Sequence, residues 1–142
     1  MKSRREEYVK EKIMLVEDEL ITALDIQRML EKVGYRVSAT IASGEEAVQK
    51  AKDINPDLII MDIFLADDMD GIEAGDIIVR QLGVPVIFLT ANADSTTIKR
   101  ADMIKHYGYL IKPVRQNDLD SIISTALQRH EIESRKSHPS TH

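Results

Sequence analysis

Glu17 and Asp18 stand directly behind the apolar run IMLV (13–16), and Asp62 stands directly behind LIIM (58–61). Two further apolar runs end the same way: VIFL (86–89) in the hydroxyl of Thr90, and residues 107–111 in the ammonium of Lys112. Each residue taken singly has an ordinary reading. An aspartate after a strand is commonly a turn or helix cap, a lone lysine is a surface charge, and a threonine can cap the segment that follows. Together they put polar groups at the same position behind four separate runs. Two like unit charges about 4 Å apart repel by roughly 4 kcal/mol at an effective dielectric near 20. Carboxylates gathered in one pocket therefore require a proton or a cation. A hard divalent ion with oxygen ligands suits them, and Mg²⁺ takes only one or two carboxylates directly, leaving room for a phosphoryl oxygen. With Lys112 and Thr90 beside it, such a pocket suits a small tetrahedral dianion. Asp62 is then a candidate nucleophile for an aspartyl-phosphate.

The elements that must position these groups are legible from periodicity. Residues 13–16, 36–41, 58–61, 86–89 and 107–111 read as strands. Between them lie helical patterns. Residues 20–33 carry Ala23, Ile26, Leu30 and Val33 on one face and stop at Gly34. The capping box SGEE (43–46) opens a helix that ends at the Asn55-Pro56-Asp57 turn. Asp70 caps a helix from Gly71 to about Leu82, and Asp94 caps a short fourth one. Leu119, Ile122, Ile123, Ala126 and Leu127 form the stripe of a fifth. Alternating strands and helices predict an α/β fold: a doubly wound, five-stranded parallel sheet with five flanking helices. The second run alternates instead of reading continuously apolar, which places it at an edge and gives the flavodoxin-like strand order 2-1-3-4-5. Ligands on such a sheet bind beyond the carboxyl ends of the strands at the switch point. That is where the acids, Thr90 and Lys112 fall. In the loop that follows Asp62, Asp67 and Asp68 read as solvated charges that add to a negative potential.

The chain has 142 residues, 43% hydrophobic, enough for one core. The expected layout is a charged N-terminal tail over residues 1–11, one domain over 12–133, and a polar, disordered tail over 134–142. With no cysteine, disulfides, thiolate metal sites and Cys nucleophiles are excluded. No apolar run approaches the roughly 20 residues of a membrane span, and the charged N-terminus does not read as a signal peptide. A net charge of −5 with few aromatics argues against a nucleic-acid surface. A cytoplasmic protein without direct nucleic-acid or membrane contact is expected.

These segments resemble the receiver domain of two-component response regulators. The resemblance is carried by IMLVEDE (13–19), LIIMD (58–62), MDG (69–71), PVIFLTA (85–91) and GYLIKP (108–113), in order and at matching spacing, over about residues 12–128. It implies Asp62 as phosphoacceptor. It also implies a Mg²⁺ site of Asp18, Glu17 (directly or through water), Asp62 and the backbone carbonyl of Phe64. Thr90, Ala91 and Lys112 would receive the phosphoryl group. Thr90 and Tyr109 would act as the switch pair, and Lys112–Pro113 would be a cis peptide. The implied partner is a sensor histidine kinase or phosphotransfer domain. The implied output is a switch of the surface formed by the fourth helix, fifth strand and fifth helix, possible as a phosphorylation-dependent homodimer. The resemblance implies no true enzyme, only a domain that catalyses its own phosphorylation and slow autodephosphorylation.

Departures from the family pattern fall in the loop. Ala66 stands where many receivers have Pro, and the interval from Asp62 to Gly71 is one residue longer than in many relatives. Asn92, two residues past Thr90, lies where family members tune phosphoryl lifetime. Two rival readings are an Asp-nucleophile phosphohydrolase and a receiver-like module that never takes phosphate. The first wants a second Asp at position 64, where Phe64 stands. The second usually lacks one of the acids or the lysine, all of which are present. No DNA-binding module follows, so the chain reads as a single-domain receiver or a fragment, and its tail favours a fragment. HEI (130–132) resembles the opening of a kinase phosphoacceptor box but lacks its continuation, so His130 reads as a surface residue at a helix end. His106 reads as a loop residue.

Overall fold

The structure is a computed structural model and describes residues 11–92 and 94–137. Five strands, β1 (Lys12–Val16), β2 (Arg36–Ile41), β3 (Leu58–Asp62), β4 (Val86–Thr90) and β5 (Tyr109–Ile111), form one sheet. All neighbours pair in parallel, in the order β2-β1-β3-β4-β5. Five helices connect and cover them: α1 (Leu20–Lys32), α2 (Gly44–Ile54), α3 (Gly71–Leu82), α4 (Ser95–Asp102) and α5 (Gln116–Ser137). The order and the count of helices are those expected from the sequence.

Two cores, one on each face, explain why the central strands read as unbroken apolar runs. Alternate strand residues point to opposite sides. Met14, Val16, Ile59, Met61 and Phe88 pack with Ala47, Ala51, Ile72 and Ile78 of α2 and α3. Ile13, Leu15, Leu58, Ile60, Ile87 and Leu89 pack with Ala23, Ile26 and Leu30 of α1 and with Leu119, Ile123 and Ala126 of α5. β2, at the edge, is only partly covered, as its alternating sequence requires. The helix starts follow local chemistry. Ser43 Oγ accepts from Glu46 N–H at 3.1 Å, Asp70 Oδ1 from Glu73 N–H at 2.9 Å, and Asp94 Oδ1 from Thr97 N–H at 2.9 Å. Among the described residues no helix is long and apolar enough to cross a membrane.

Two boundaries differ from the sequence reading. β5 begins at Tyr109, not at 107, because Gly108 takes φ +136°, a conformation outside the strand region. Ladder bonds to β4 nevertheless persist on both sides of it: Tyr107 N–H to Val86 O at 2.9 Å and Phe88 N–H to Gly108 O at 3.0 Å. At the other end, α5 continues to Ser137, past the stop placed near Glu133. Its polar turns are held by contacts that composition alone does not reveal, the Arg135–Glu131 pair at 2.7 Å and the Tyr107 hydroxyl on Glu133. Residues 1–10 and 138–142, most of the two expected tails, lie outside the described residues.

Candidate functional site

Register aligns the strand ends. Val16 pairs with Met61, Asp62 with Leu89, and Thr90 with Ile111, so Glu17, Asp62, Thr90 and Lys112 arrive at one rim. Carboxylate oxygens of Glu17, Asp18 and Asp62 lie within 4.8 Å of one another. Glu17 is 2% and Asp62 3% exposed, whereas Asp18 faces solvent. Lys112 reaches over from β5. Its Nζ lies 2.8 Å from Glu17 Oε1 and 3.3 Å from Asp62 Oδ2, the first contact being close but off the line of an aligned hydrogen bond.

Backbone donors hold the acids in place. Glu19 N–H donates to Glu17 Oε2 at 2.9 Å, Phe64 N–H to Asp62 Oδ1 at 3.1 Å, and Ala66 N–H to Asp18 Oδ2 at 2.9 Å. Burial, and then the negative charge of Glu17, push the Asp62 carboxyl up to about 7, and Lys112 offsets only part of that. Burial acts to lower the Lys112 pKa, but the close contact with Glu17 and the charges of Asp62 and Glu17 prevail and raise it. One ammonium thus serves two buried carboxylates, with a third beside them. The donor set is all oxygen and carries excess negative charge, so the residues fit a hard divalent cation such as Mg²⁺.

The other expected residues are placed as follows. Thr90 is fully buried, and its hydroxyl is engaged locally, donating to Asn92 O at 3.0 Å and accepting from Asn92 N–H at 3.1 Å. Ala91 is exposed and Phe64 is 52% exposed. Tyr109 turns its hydroxyl away to Asp102 at the end of α4. The Lys112–Pro113 peptide is cis. Asp67 lies outside the acid trio and accepts weakly from Glu45 N–H at 3.5 Å. Asp70, besides capping α3, pairs with Arg100 of α4 at 2.9 Å. His130 lies within α5, not at a helix end, and is half-buried, its Nε2 2.8 Å from Gly83 O.

Sequence reasoning missed the surroundings of Tyr109. His106 Nε2 is 2.8 Å from Asp102 Oδ1, the same carboxylate oxygen that takes the phenol. The i,i+4 spacing of Asp102 and His106 was visible, but its meaning depends on where Tyr109 points.

The response regulator receiver domain family matches residues 13–124, and the chain belongs to that family. Among curated proteins it is 33% identical over 121 residues to the transcriptional regulatory protein PdtaR of Mycobacterium tuberculosis, covering 85% of this chain and 58% of that one. The chain spans about half the length of the curated relatives it matches. Among solved structures it is similar to the signal receiver domain of a modulated diguanylate cyclase from Desulfovibrio desulfuricans G20. That match has 34% identity and TM-score 0.84, covering 87% of this chain and 98% of that one. It is also similar to the receiver domain of the sensor histidine kinase PA1611 from Pseudomonas aeruginosa PAO1, with 34% identity and TM-score 0.76, covering 84% and 98%. That structure has a magnesium ion coordinated in its active-site cleft. This protein is therefore a receiver domain of two-component signal transduction with the flavodoxin-like fold.

Proposed function

We propose that Asp62 accepts a phosphoryl group from the phosphohistidine of a sensor kinase or phosphotransfer domain. The observation that carries this reading is Lys112 held between Glu17 and Asp62 at the rim of a receiver fold. An Asp62 carboxylate oxygen forms the new P–O bond. The P–N bond of the donor breaks, and its electron pair stays on the imidazole nitrogen, which takes up a proton. Glu17, Asp18, Asp62 and the Phe64 carbonyl would hold Mg²⁺. Held there, such an ion would neutralise charge on the transferring oxygens. Lys112 supplies a second positive charge, Thr90 a hydroxyl donor, and Ala91 a small side chain that leaves the approach open. Tyr109 then follows Thr90 inward, and the face of α4, β5 and α5 changes shape toward its target, a second copy included.

Exposed apolar residues support protein docking beside the pocket. Leu20 and Ile21 at the start of α1 are 70% and 72% exposed, and Phe64 rises from the loop after Asp62. The phosphohydrolase reading gains no support, since Phe64 occupies the position where a second acid/base carboxylate would be wanted. A cytoplasmic location accords with this role. Acetyl phosphate with Mg²⁺ should add one hydroxylamine-labile phosphoryl group to the wild-type chain and none to Asp62→Asn, read by intact mass. An unchanged wild-type mass, or an equal gain in the variant, overturns the proposal.

A further inference from the structure

The hydroxyl of Tyr109 is not free in solvent, and the group that holds it is itself held. Asp102 Oδ1 accepts from Tyr109 and lies 2.8 Å from His106 Nε2. Gly108 N–H donates to His106 Nδ1 at 3.1 Å. A backbone N–H can only donate, so Nδ1 carries the lone pair, and the ring proton sits on Nε2, directed at Asp102. The imidazole side chain is only 11% exposed. It packs 4.7 Å from the Tyr109 ring and 5.4 Å from Phe88, centroid to centroid. Gly108 presents its N–H to His106 from φ +136°, and a Cβ there would meet Ile122 Cδ1 at 2.8 Å. The loop from α4 to β5 is thus shaped around this imidazole.

We propose that His106 and Asp102 form a latch that holds Tyr109 outward, with His106 as the positioning residue. His106 fixes the carboxylate, the carboxylate captures the phenol, and the strength of that pair sets the fraction of molecules whose Tyr109 is free to turn toward Thr90. This inference rests on the phosphoacceptor reading above, because it describes how that site is restrained. A charge-assisted hydrogen bond at a partly exposed position must be broken before the inward state forms. Any ligand that selects the inward state is weakened by the fraction held outward.

The test is a beryllofluoride titration with Mg²⁺, read together with ¹⁹F spectra of protein carrying 3-fluorotyrosine. Asp102 ends α4 at an exposed position, so Asp102→Ala leaves the core intact. That variant should bind beryllofluoride about 3- to 10-fold more tightly than wild type. Its ligand-free Tyr109 resonance should move toward the position it takes in the beryllofluoride-bound wild type. His106→Ala should do the same. His106→Gln, whose amide can donate to Asp102 in place of Nε2, should return most of the way to wild type. In a Tyr109→Phe background, Asp102→Ala should change affinity by less than about 1.5-fold, since there is no phenol to release. Unchanged affinity and resonance in Asp102→Ala overturn the latch, as does an effect of equal size in the Phe background. If wild type itself fails to bind beryllofluoride, the phosphoacceptor reading falls and the latch falls with it. Binding by wild type with unresponsive variants removes the latch alone.

Discussion

Two polar clusters flank β5, and they are built on opposite principles. At the strand ends, Glu17 and Asp62 are buried beside each other with a single ammonium between them, and the fold leaves the conflict standing. Where the loop before β5 meets α5, charges are matched. Glu133 takes the Tyr107 hydroxyl and lies 3.0 Å from Lys105 Nζ, and Arg129 stacks 4.9 Å over the Tyr107 ring. A cluster whose members already satisfy one another holds elements together. A cluster with surplus like charge is suited to binding a cation.

That contrast can be broken at several points. The largest effect belongs to Gly71, where an added Cβ would fall 1.9 Å from Asp62 O. Gly71→Ala should cost on the order of 3–5 kcal/mol in urea unfolding. A loss below about 1 kcal/mol would mean that the loop yields freely there. Next comes Asp62→Asn in magnesium-free buffer near pH 8, expected to stabilise the protein by about 1–3 kcal/mol. The sign follows from the raised pKa. Ionising Asp62 costs the folded state, so stability falls as pH climbs from the ordinary 3.8 through about 7. Added Mg²⁺ should raise the Tm of wild type and leave that of the variant nearly unmoved.

The matched cluster should respond in the other direction. Tyr107→Phe removes a partner of Glu133 and should cost about 1 kcal/mol, with phosphoryl uptake on Asp62 unchanged. A drop in uptake would join two clusters that are separate here. The smallest effect is in acid. The hydrogen bond from Tyr109, then that from His106, lowers the Asp102 pKa, and those from Tyr107 and Lys105 lower that of Glu133. Their contributions are present above the ordinary carboxylate range and are lost as pH falls through the lowered values. Without Mg²⁺, acidification should therefore relieve Asp62 first and afterwards loosen the contacts of Tyr109 with α4 and of Tyr107 with α5. A Tm profile against pH checks this: Asp102→Asn should show a shallower loss at the acid end.

The site was legible because it lies where apolar runs stop, and a stop is a local feature. Asp62 and Thr90 end fully buried strands and Lys112 follows the short, partly covered β5, and parallel register carries all three to one rim. The start of β5 was not legible, because the residues before it keep ladder bonds to β4 while Gly108 leaves strand geometry. The end of α5 was not legible either, since Glu133 is held by Tyr107 from 26 residues away. His130 read as an ordinary surface residue, and only the fold reveals its hydrogen bond to a carbonyl 47 positions back.

Gly71 N–H donates to Ile63 O at 2.8 Å, joining the two ends of the segment that follows Asp62. A loop knotted at its neck can lengthen at the tip while its anchor points stay put. The extra residue relative to many receivers and the alanine at position 66 therefore need not disturb Asp62. This stretch is consequently free to diversify, and it leaves Phe64 half exposed beside Asp62.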